Sequence, residues 1–259
     1  MDLTKIKLFL MDLDGTLYID GKLIDGANET IEKLRKDGKK IGFVTNNTSI
    51  GKNDYLKKFK KIGLTVFESE FVSASYEMIE YLKKNNLQDS VYLLGTKSLK
   101  KEFEKNGIKL VDNAKTVVVA YDTELTYKKL VHASTLIKNG ANYFSTHIDK
   151  VCPSKDKVLP DAGSYINLIY DTTGKKPKFV GGKPGKDFAK YILNKFQVKK
   201  NQVCFIGDRL YTDIQFALNN GFNSILVLSG ETKKEDLKEC KIKPDLVLNT
   251  IKDIQKLID

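Results

Sequence analysis

Along this chain short apolar runs alternate with longer stretches whose apolar residues recur three and four positions apart, so buried strands and amphipathic helices are expected in turn. The first run, over 6–11, reads Ile6-Lys7-Leu8-Phe9-Leu10-Met11 and predicts a buried strand. A glycine-containing excursion over 17–25 precedes a helix over 28–36, which carries Ile31 and Leu34 and stops at Gly38. A strand over 40–44, a helix over 52–62 closed by Gly63, a strand over 71–73 and a helix over 75–84 continue the rhythm. From about residue 85 a second series begins, with strands over 90–94, 116–121 and 143–145 and helices over 98–106, 127–138 and 162–171. Gly174-Lys175-Lys176-Pro177 reads as a linker. Strands over 179–180, 203–206, 224–228 and 245–248 then alternate with helices over 187–196, 214–219, 233–239 and 250–257. The fold class expected is α/β: a doubly wound, Rossmann-like parallel-sheet core over 1–79 and 180–259, interrupted by an inserted α/β domain over 80–179 large enough for its own core.

Polar chemistry falls where the strands end. Asp12 and Asp14, in Asp12-Leu13-Asp14-Gly15-Thr16, follow the opening strand at its carboxyl end, the side on which open parallel sheets bind ligands. A carboxylate there can attack phosphorus and divide one hard displacement into two easier ones, and a magnesium ion on oxygen ligands would offset its repulsion from an anionic phosphate. Asp14, two positions on, can serve as acid and then base in successive steps. An acidic turn after a strand is also commonly a solvated loop. An EF-hand calcium loop is excluded, because its glycine would fall at Leu17 and its closing glutamate at Leu23.

Three further clusters repeat this placement. Thr45-Asn46-Asn47-Thr48 follows the second strand, and helix capping is its plain structural alternative. Gly181-Gly182-Lys183-Pro184-Gly185-Lys186 is no Walker A loop, since Val180 stands where glycine is required and Asp187 where Ser or Thr is required. Gly207-Asp208-Arg209-Leu210-Tyr211-Thr212-Asp213 brings a second pair of acids. Placed opposite Asp12 in a parallel sheet, Asp208 can complete a magnesium site, with Asp213 holding a ligand or a water in place. Asp213 can equally be a carboxylate favoured at a helix N-terminus.

Composition narrows the partners. The hydrophobic content of 41% over 259 residues is ordinary for a globular chain, and no apolar run approaches the length of about 20 residues that a bilayer demands. The start leads directly into a strand rather than a secretory signal, so a cytoplasmic protein with no membrane partner is expected. Cys152, Cys204 and Cys240 form no C-x-x-C pair, and His132 and His147 are the only histidines, which argues against thiolate zinc and histidine-rich metal centres. The formal charge of +11 favours encounter with phosphorylated substrates. Nucleic acid is not expected, because Lys57-Lys58, Lys60-Lys61, Lys83-Lys84 and Lys128-Lys129 read as solvated helix faces with no basic arm or stacking aromatics.

Taken in order, DLDGT, TNN, GKP and GDRLYTD resemble the four motifs of the haloacid dehalogenase superfamily. Leu125-Thr126-Tyr127, the loop over 146–160 with Asp149 and Pro153, and Pro160-Asp161-Ala162-Gly163 resemble the large α/β cap of its 4-nitrophenylphosphatase/NagD-like branch. The resemblance implies Asp12 as nucleophile and Asp14 as acid/base. It implies magnesium held by the side chains of Asp12 and Asp208 and by the backbone carbonyl of Asp14, with Asp213 behind them. It implies Thr45 and Asn46 on the phosphoryl oxygens and Lys183 neutralising their charge. Phosphoryl transfer needs mainly positioning and charge stabilisation, which these residue types supply. Dehalogenation is disfavoured, because that branch of the superfamily lacks the second acid that Asp14 provides. His147 stands where the branch usually has asparagine, and Asp161 replaces a small residue. His147 and Asp149 are the cap residues expected near the leaving group, in a domain expected to move relative to the core; the plain structural alternative is that Asp149 caps a turn and His147 packs against the loop. The expected activity is hydrolysis of small-molecule phosphate monoesters such as a sugar phosphate, a nucleotide or a phosphoglycolate-like ester. A phosphomutase and a noncatalytic phosphate- or nucleic-acid-binding module are the alternatives, and a homodimer is left open.

Overall fold

The computed structural model describes residues 2–154 and 156–258, so Lys155, in the loop over 146–160, lies outside the described residues. The chain divides into two compact units, one made of Met1–Thr45, Leu56–Val72 and Lys183–Asp259, the other of Asn46–Tyr55 and Ser73–Gly182.

The first unit is built on a six-stranded sheet. Its spatial order is Leu246–Leu248, Asn223–Val227, Val203–Gly207, Leu8–Met11, Lys40–Thr45 and Phe71–Ser73. Counted within this sheet in chain order, the strands run 6-5-4-1-2-3, the doubly wound arrangement whose order reverses beside the first strand. Leu8–Met11 pairs in parallel with Lys40–Thr45 on one side and Val203–Gly207 on the other, with Phe9 facing Ile41 and Cys204. Every residue of Leu8–Met11 is buried, as a strand covered on both faces requires. On one face Leu8, Leu10 and Phe205 pack with Phe188, Ile192 and Phe216 from the helices Lys186–Phe196 and Gln215–Asn220. The excursion after the first strand is a small hairpin, Tyr18–Ile19 against Lys22–Leu23.

The second unit has its own four-stranded parallel sheet, in the order Phe179–Val180, Asn142–Ser145, Thr116–Val119 and Val91–Leu94. The period of two along these strands sorts the core into two halves. Val91, Leu93, Val118 and Phe144 meet Met78, Leu82 and Phe103 on one face, and Tyr92, Leu94, Val117, Val119 and Tyr143 meet Ala133, Tyr165 and Ile169 on the other. Phe179–Val180 belongs to this sheet because Phe179 pairs with Phe144, and Phe179 also stacks on Tyr81 at 3.9 Å between ring centroids. The helix Ala74–Lys84 belongs to it as well, through Met78, Ile79 and Leu82.

Most helices and strands fall where periodicity places them. Two elements differ in kind, and the first of them bears on the site. The segment after Asp208 opens with a wide π-helical turn, Leu210–Ile214, before Gln215–Asn220 continues as α-helix, so Asp213 sits inside the turn rather than at a helix start. Single π-turns of this kind are frequent at functional sites. The terminal helix expected over 250–257 is a tighter 3₁₀ segment, Ile251–Leu257.

Candidate active site

Asp12 and Asp208 each follow a central strand of the first unit, Leu8–Met11 and Val203–Gly207, at the point where the strand order reverses. The pairing of these strands forces the two acids together, with Met11 opposite Ile206 and the Asp12 N–H donating to the Ile206 carbonyl at 2.9 Å. The π-turn returns Asp213 to the same place. Ligand oxygens of Asp12, Asp208 and Asp213 all lie within 4.8 Å of one another.

Lys183 closes the group. Its Nζ lies 2.5 Å from Asp12 Oδ1 and 2.6 Å from Asp213 Oδ1, and it is buried, as is Asp213. Asp213 Oδ2 also accepts from the Arg209 N–H at 3.1 Å. Asp208 Oδ2 accepts from the Glu231 N–H at 2.8 Å, and its Oδ1 lies 3.4 Å from the Thr16 hydroxyl, which donates to it. Arg209 is neutralised by Glu231, at 2.9 Å. Among the described residues these three carboxylates therefore face the Lys183 ammonium, which leaves two formal negative charges in a mostly buried site.

The electrostatics follow from that imbalance. Burial pushes the Asp12 carboxyl well above its ordinary range, Lys183 pulls it back in part, and the charges of Asp213 and Asp208 push it up again. Asp208 is pushed up to about 7 by burial first and by the charge of Asp213 next. Burial disfavours the Lys183 ammonium, yet the two carboxylates in contact with it outweigh that and hold it protonated. An all-carboxylate donor set two charges short of neutrality fits a hard divalent cation, which takes oxygen ligands. The glycines around the acids permit this crowding. A Cβ on Gly15 or Gly230 would overlap the Asp208 carboxylate, and one on Gly207 would overlap Asp213. Gly15 also has φ +91°, a conformation that side chains disfavour.

Asp14 lies beyond the first strand with its side chain one-third exposed. It sits with two residues that sequence reasoning passed over, Tyr18 and Lys58. The Tyr18 hydroxyl donates to Asp14 Oδ2 at 3.2 Å, and the Lys58 ammonium donates to the Tyr18 oxygen at 3.0 Å. Lys58 reads in sequence as part of a solvated lysine face, but its ammonium lies 4.2 Å over the Tyr18 ring. Lys58 adjoins Phe59 in the helix Lys52–Lys61, and Phe59 packs 6.5 Å from Tyr18; adjacent helical residues do not share a face, so the spacing alone does not mark Lys58.

Thr45 ends the strand Lys40–Thr45 and is buried in the first unit. Asn46 opens the second unit, where its amide donates to Asp149 Oδ2 at 3.1 Å. His147 and Asp149 lie in that unit too. His147 is wholly buried, with Nε2 2.8 Å from Asp161 Oδ1 and Nδ1 2.9 Å from the Thr146 hydroxyl. The structure thus gathers Asp12, Asp208, Asp213 and Lys183 in one unit and Asn46, His147 and Asp149 in the other.

Comparison with known proteins agrees with this architecture. A haloacid dehalogenase-like hydrolase family model matches residues 9–109, and a second, HAD-hydrolase-like, model matches residues 180–254. The chain is 33% identical to the chloroplastic phosphoglycolate phosphatase 1A of Arabidopsis thaliana, over 96% of this chain and 76% of that one. It is 29% identical to a 5′-nucleotidase of Bacillus subtilis, over 95% of this chain and 96% of the relative. The crystal structure of a 4-nitrophenylphosphatase from Thermotoga maritima superposes with a TM-score of 0.95 at 40% identity, covering 99% of each chain. This chain belongs to the haloacid dehalogenase-like hydrolases. Within them it falls in the 4-nitrophenylphosphatase/NagD-like branch of phosphatases. Among the described residues no helix is long and apolar enough to cross a membrane.

Proposed function

We propose that the chain is a magnesium-dependent phosphatase that hydrolyses small-molecule phosphate monoesters through a phosphorylated Asp12. The observation that carries this is the set of three carboxylates and one buried lysine at the reversal of strand order. In the first step an Asp12 carboxylate oxygen attacks phosphorus, the ester P–O bond breaks, and Asp14 gives its proton to the departing oxygen. In the second, Asp14 takes a proton from water as that water attacks the same phosphorus, the bond to Asp12 breaks, and inorganic phosphate leaves. Bound magnesium supplies positive charge where nucleophile and phosphate would otherwise repel. The Asp12 and Asp208 side chains and the Asp14 backbone carbonyl would hold it, with Asp213 fixing Lys183 behind them. Lys183 offsets phosphoryl charge, and Thr45 and Asn46 orient the phosphoryl oxygens.

The first unit is read as the catalytic core and the second as the inserted cap that chooses the leaving group. The relatives' names include a phosphoglycolate phosphatase and a 5′-nucleotidase, which supports a small-molecule ester and leaves its alcohol to be found by assay. The test is a panel of phosphate esters (phosphoglycolate, sugar phosphates, nucleoside monophosphates and 4-nitrophenyl phosphate) assayed with magnesium and with excess chelator. Phosphate release that needs magnesium supports the proposal, and undiminished release after exhaustive chelation overturns it.

A further inference from the structure

Asp14 carries the proton in the proposed reaction, so its carboxyl must point at the departing oxygen when the ester bond breaks. A one-third-exposed side chain in a turn is free to rotate unless something holds it. We infer that Tyr18 and Lys58 are positioning residues that hold the Asp14 carboxyl for proton delivery to the leaving group, an inference that rests on the reading of Asp14 as acid/base.

The geometry is that of a braced side chain. Tyr18 is 1% exposed, and its ring is fixed by tilted packing against Phe59, 6.5 Å away. Its backbone is tied to the same turn, because its carbonyl accepts from the Gly15 N–H at 2.9 Å and its N–H donates to Leu13 at 3.3 Å. The hydroxyl that reaches Asp14 Oδ2 at 3.2 Å is therefore presented from a rigid support. Lys58 braces the other side. Its ammonium donates to the Tyr18 oxygen at 3.0 Å, which aims the Tyr18 proton towards Asp14, and lies 3.9 Å from Asp14 Oδ1. A hydroxyl that accepts from an ammonium can still donate its own proton, so the three groups form one chain of hydrogen bonds. Lys58 and Phe59 come from the same helix, Lys52–Lys61, so one element places both braces.

A group that only holds the fold would affect all esters alike, whereas a group that aims a proton matters most when the leaving oxygen is basic. Substituted phenyl phosphates separate the two, because 4-nitrophenolate departs without help and phenolate requires a proton. kcat/KM is the quantity to compare, since it spans the steps through the first irreversible cleavage. Asp14→Asn should steepen the dependence of kcat/KM on leaving-group acidity, and Tyr18→Phe should steepen it in the same direction, with a loss about tenfold greater for phenyl phosphate than for 4-nitrophenyl phosphate. Lys58→Met should do the same more weakly, and Lys58→Arg, which keeps a charged donor, should restore much of it. Combined with Asp14→Asn, Tyr18→Phe should add nothing further, because the group it aims is gone. If Asp14→Asn itself leaves the dependence unchanged, the assignment of Asp14 fails. If Asp14→Asn steepens it while Tyr18→Phe and Lys58→Met lower every ester equally, Asp14 stands and the positioning role is overturned. Lys58 is partly exposed, so its replacement keeps the test readable even if Tyr18→Phe folds poorly.

Discussion

His147 Nε2 lies 2.8 Å from Asp161 Oδ1, and both residues are buried inside the second unit. Asp161 is also the N-cap of the helix Ala162–Thr173, where the same oxygen accepts from the Ala162 N–H at 2.6 Å. The pair therefore ties the first residues of the loop over 146–160 to the helix that follows it. With both ring nitrogens engaged, His147 is placed to fix the loop, and Asp149 is the loop acid that reaches Asn46. Removing one partner leaves a buried polar group without compensation, so Asp161→Ala is expected to cost about 3 kcal/mol or more, read by urea unfolding.

The same pair makes stability depend on pH. Burial alone would lower the proton affinity of His147, but the charge and hydrogen bond of Asp161, with the charge of Asp149, outweigh it and hold the pKa above the ordinary 6.5. A group whose pKa is raised by folding contributes stability that is fully present below its unfolded pKa and is lost as pH rises through the folded one. Wild type is expected to lose stability relative to His147→Asn as pH climbs above 6.5 and through the raised folded-state pKa. Parallel unfolding curves for the two proteins would rule the ion pair out.

Asp149→Ala tests what the loop acid serves. The sequence offers Asp149 either as a reader of the leaving group or as a structural residue of its loop, and in the structure its Oδ2 accepts from the Asn46 amide. If Asn46 orients the phosphoryl group as proposed, the residue that holds it affects every ester, because all share that group. The expected outcome is a fall of about tenfold in kcat/KM across the panel, the worth of one good hydrogen bond, with the magnesium requirement unchanged. Losses confined to some esters would return Asp149 to leaving-group recognition.

Asp12→Asn should reduce kcat by about a thousandfold or more while the fold persists. Burial and two neighbouring acids make the Asp12 charge costly to hold, so the neutral amide relieves crowding and thermal stability should be equal or higher. Substantial turnover by a sequence-verified, uncontaminated mutant would sink the covalent mechanism.

Two substitutions address the cation separately from the nucleophile. If Asp208 is the proposed metal ligand, Asp208→Asn removes a charge from the metal site and should raise the magnesium concentration for half activation by at least about tenfold. Gly230→Ala removes no ligand, but its Cβ would overlap the Asp208 carboxylate and must displace it. The same direction of change is expected, with a stability cost of about 1–3 kcal/mol. Calcium, with longer bonds and looser coordination, should support little turnover in either variant or in wild type. Titration of activity against each metal after chelation checks all three statements.

The order of elements, the parallel sheet and the acids beyond the strands were legible in the linear pattern, because strand and helix periods and abrupt polar endings are local properties. Four polar clusters in one order also sufficed to place the family. What the chain order could not disclose was which distant groups meet. Asp213 meets Lys183 from inside a π-turn, and the partly exposed Lys58 donates to the hydroxyl of Tyr18, forty positions earlier, and lies over its ring. The expected boundary falls between Phe179 and Val180, yet both residues pair with the second sheet, Phe179 with Phe144 and Val180 with Ser145. The same holds for His147 and Asp161, each an oddity alone and a bonded pair once folded. Local sequence sets a residue's conformation and face, but partner choice depends on loop closure and on packing between remote segments, and those are decided only in the tertiary fold.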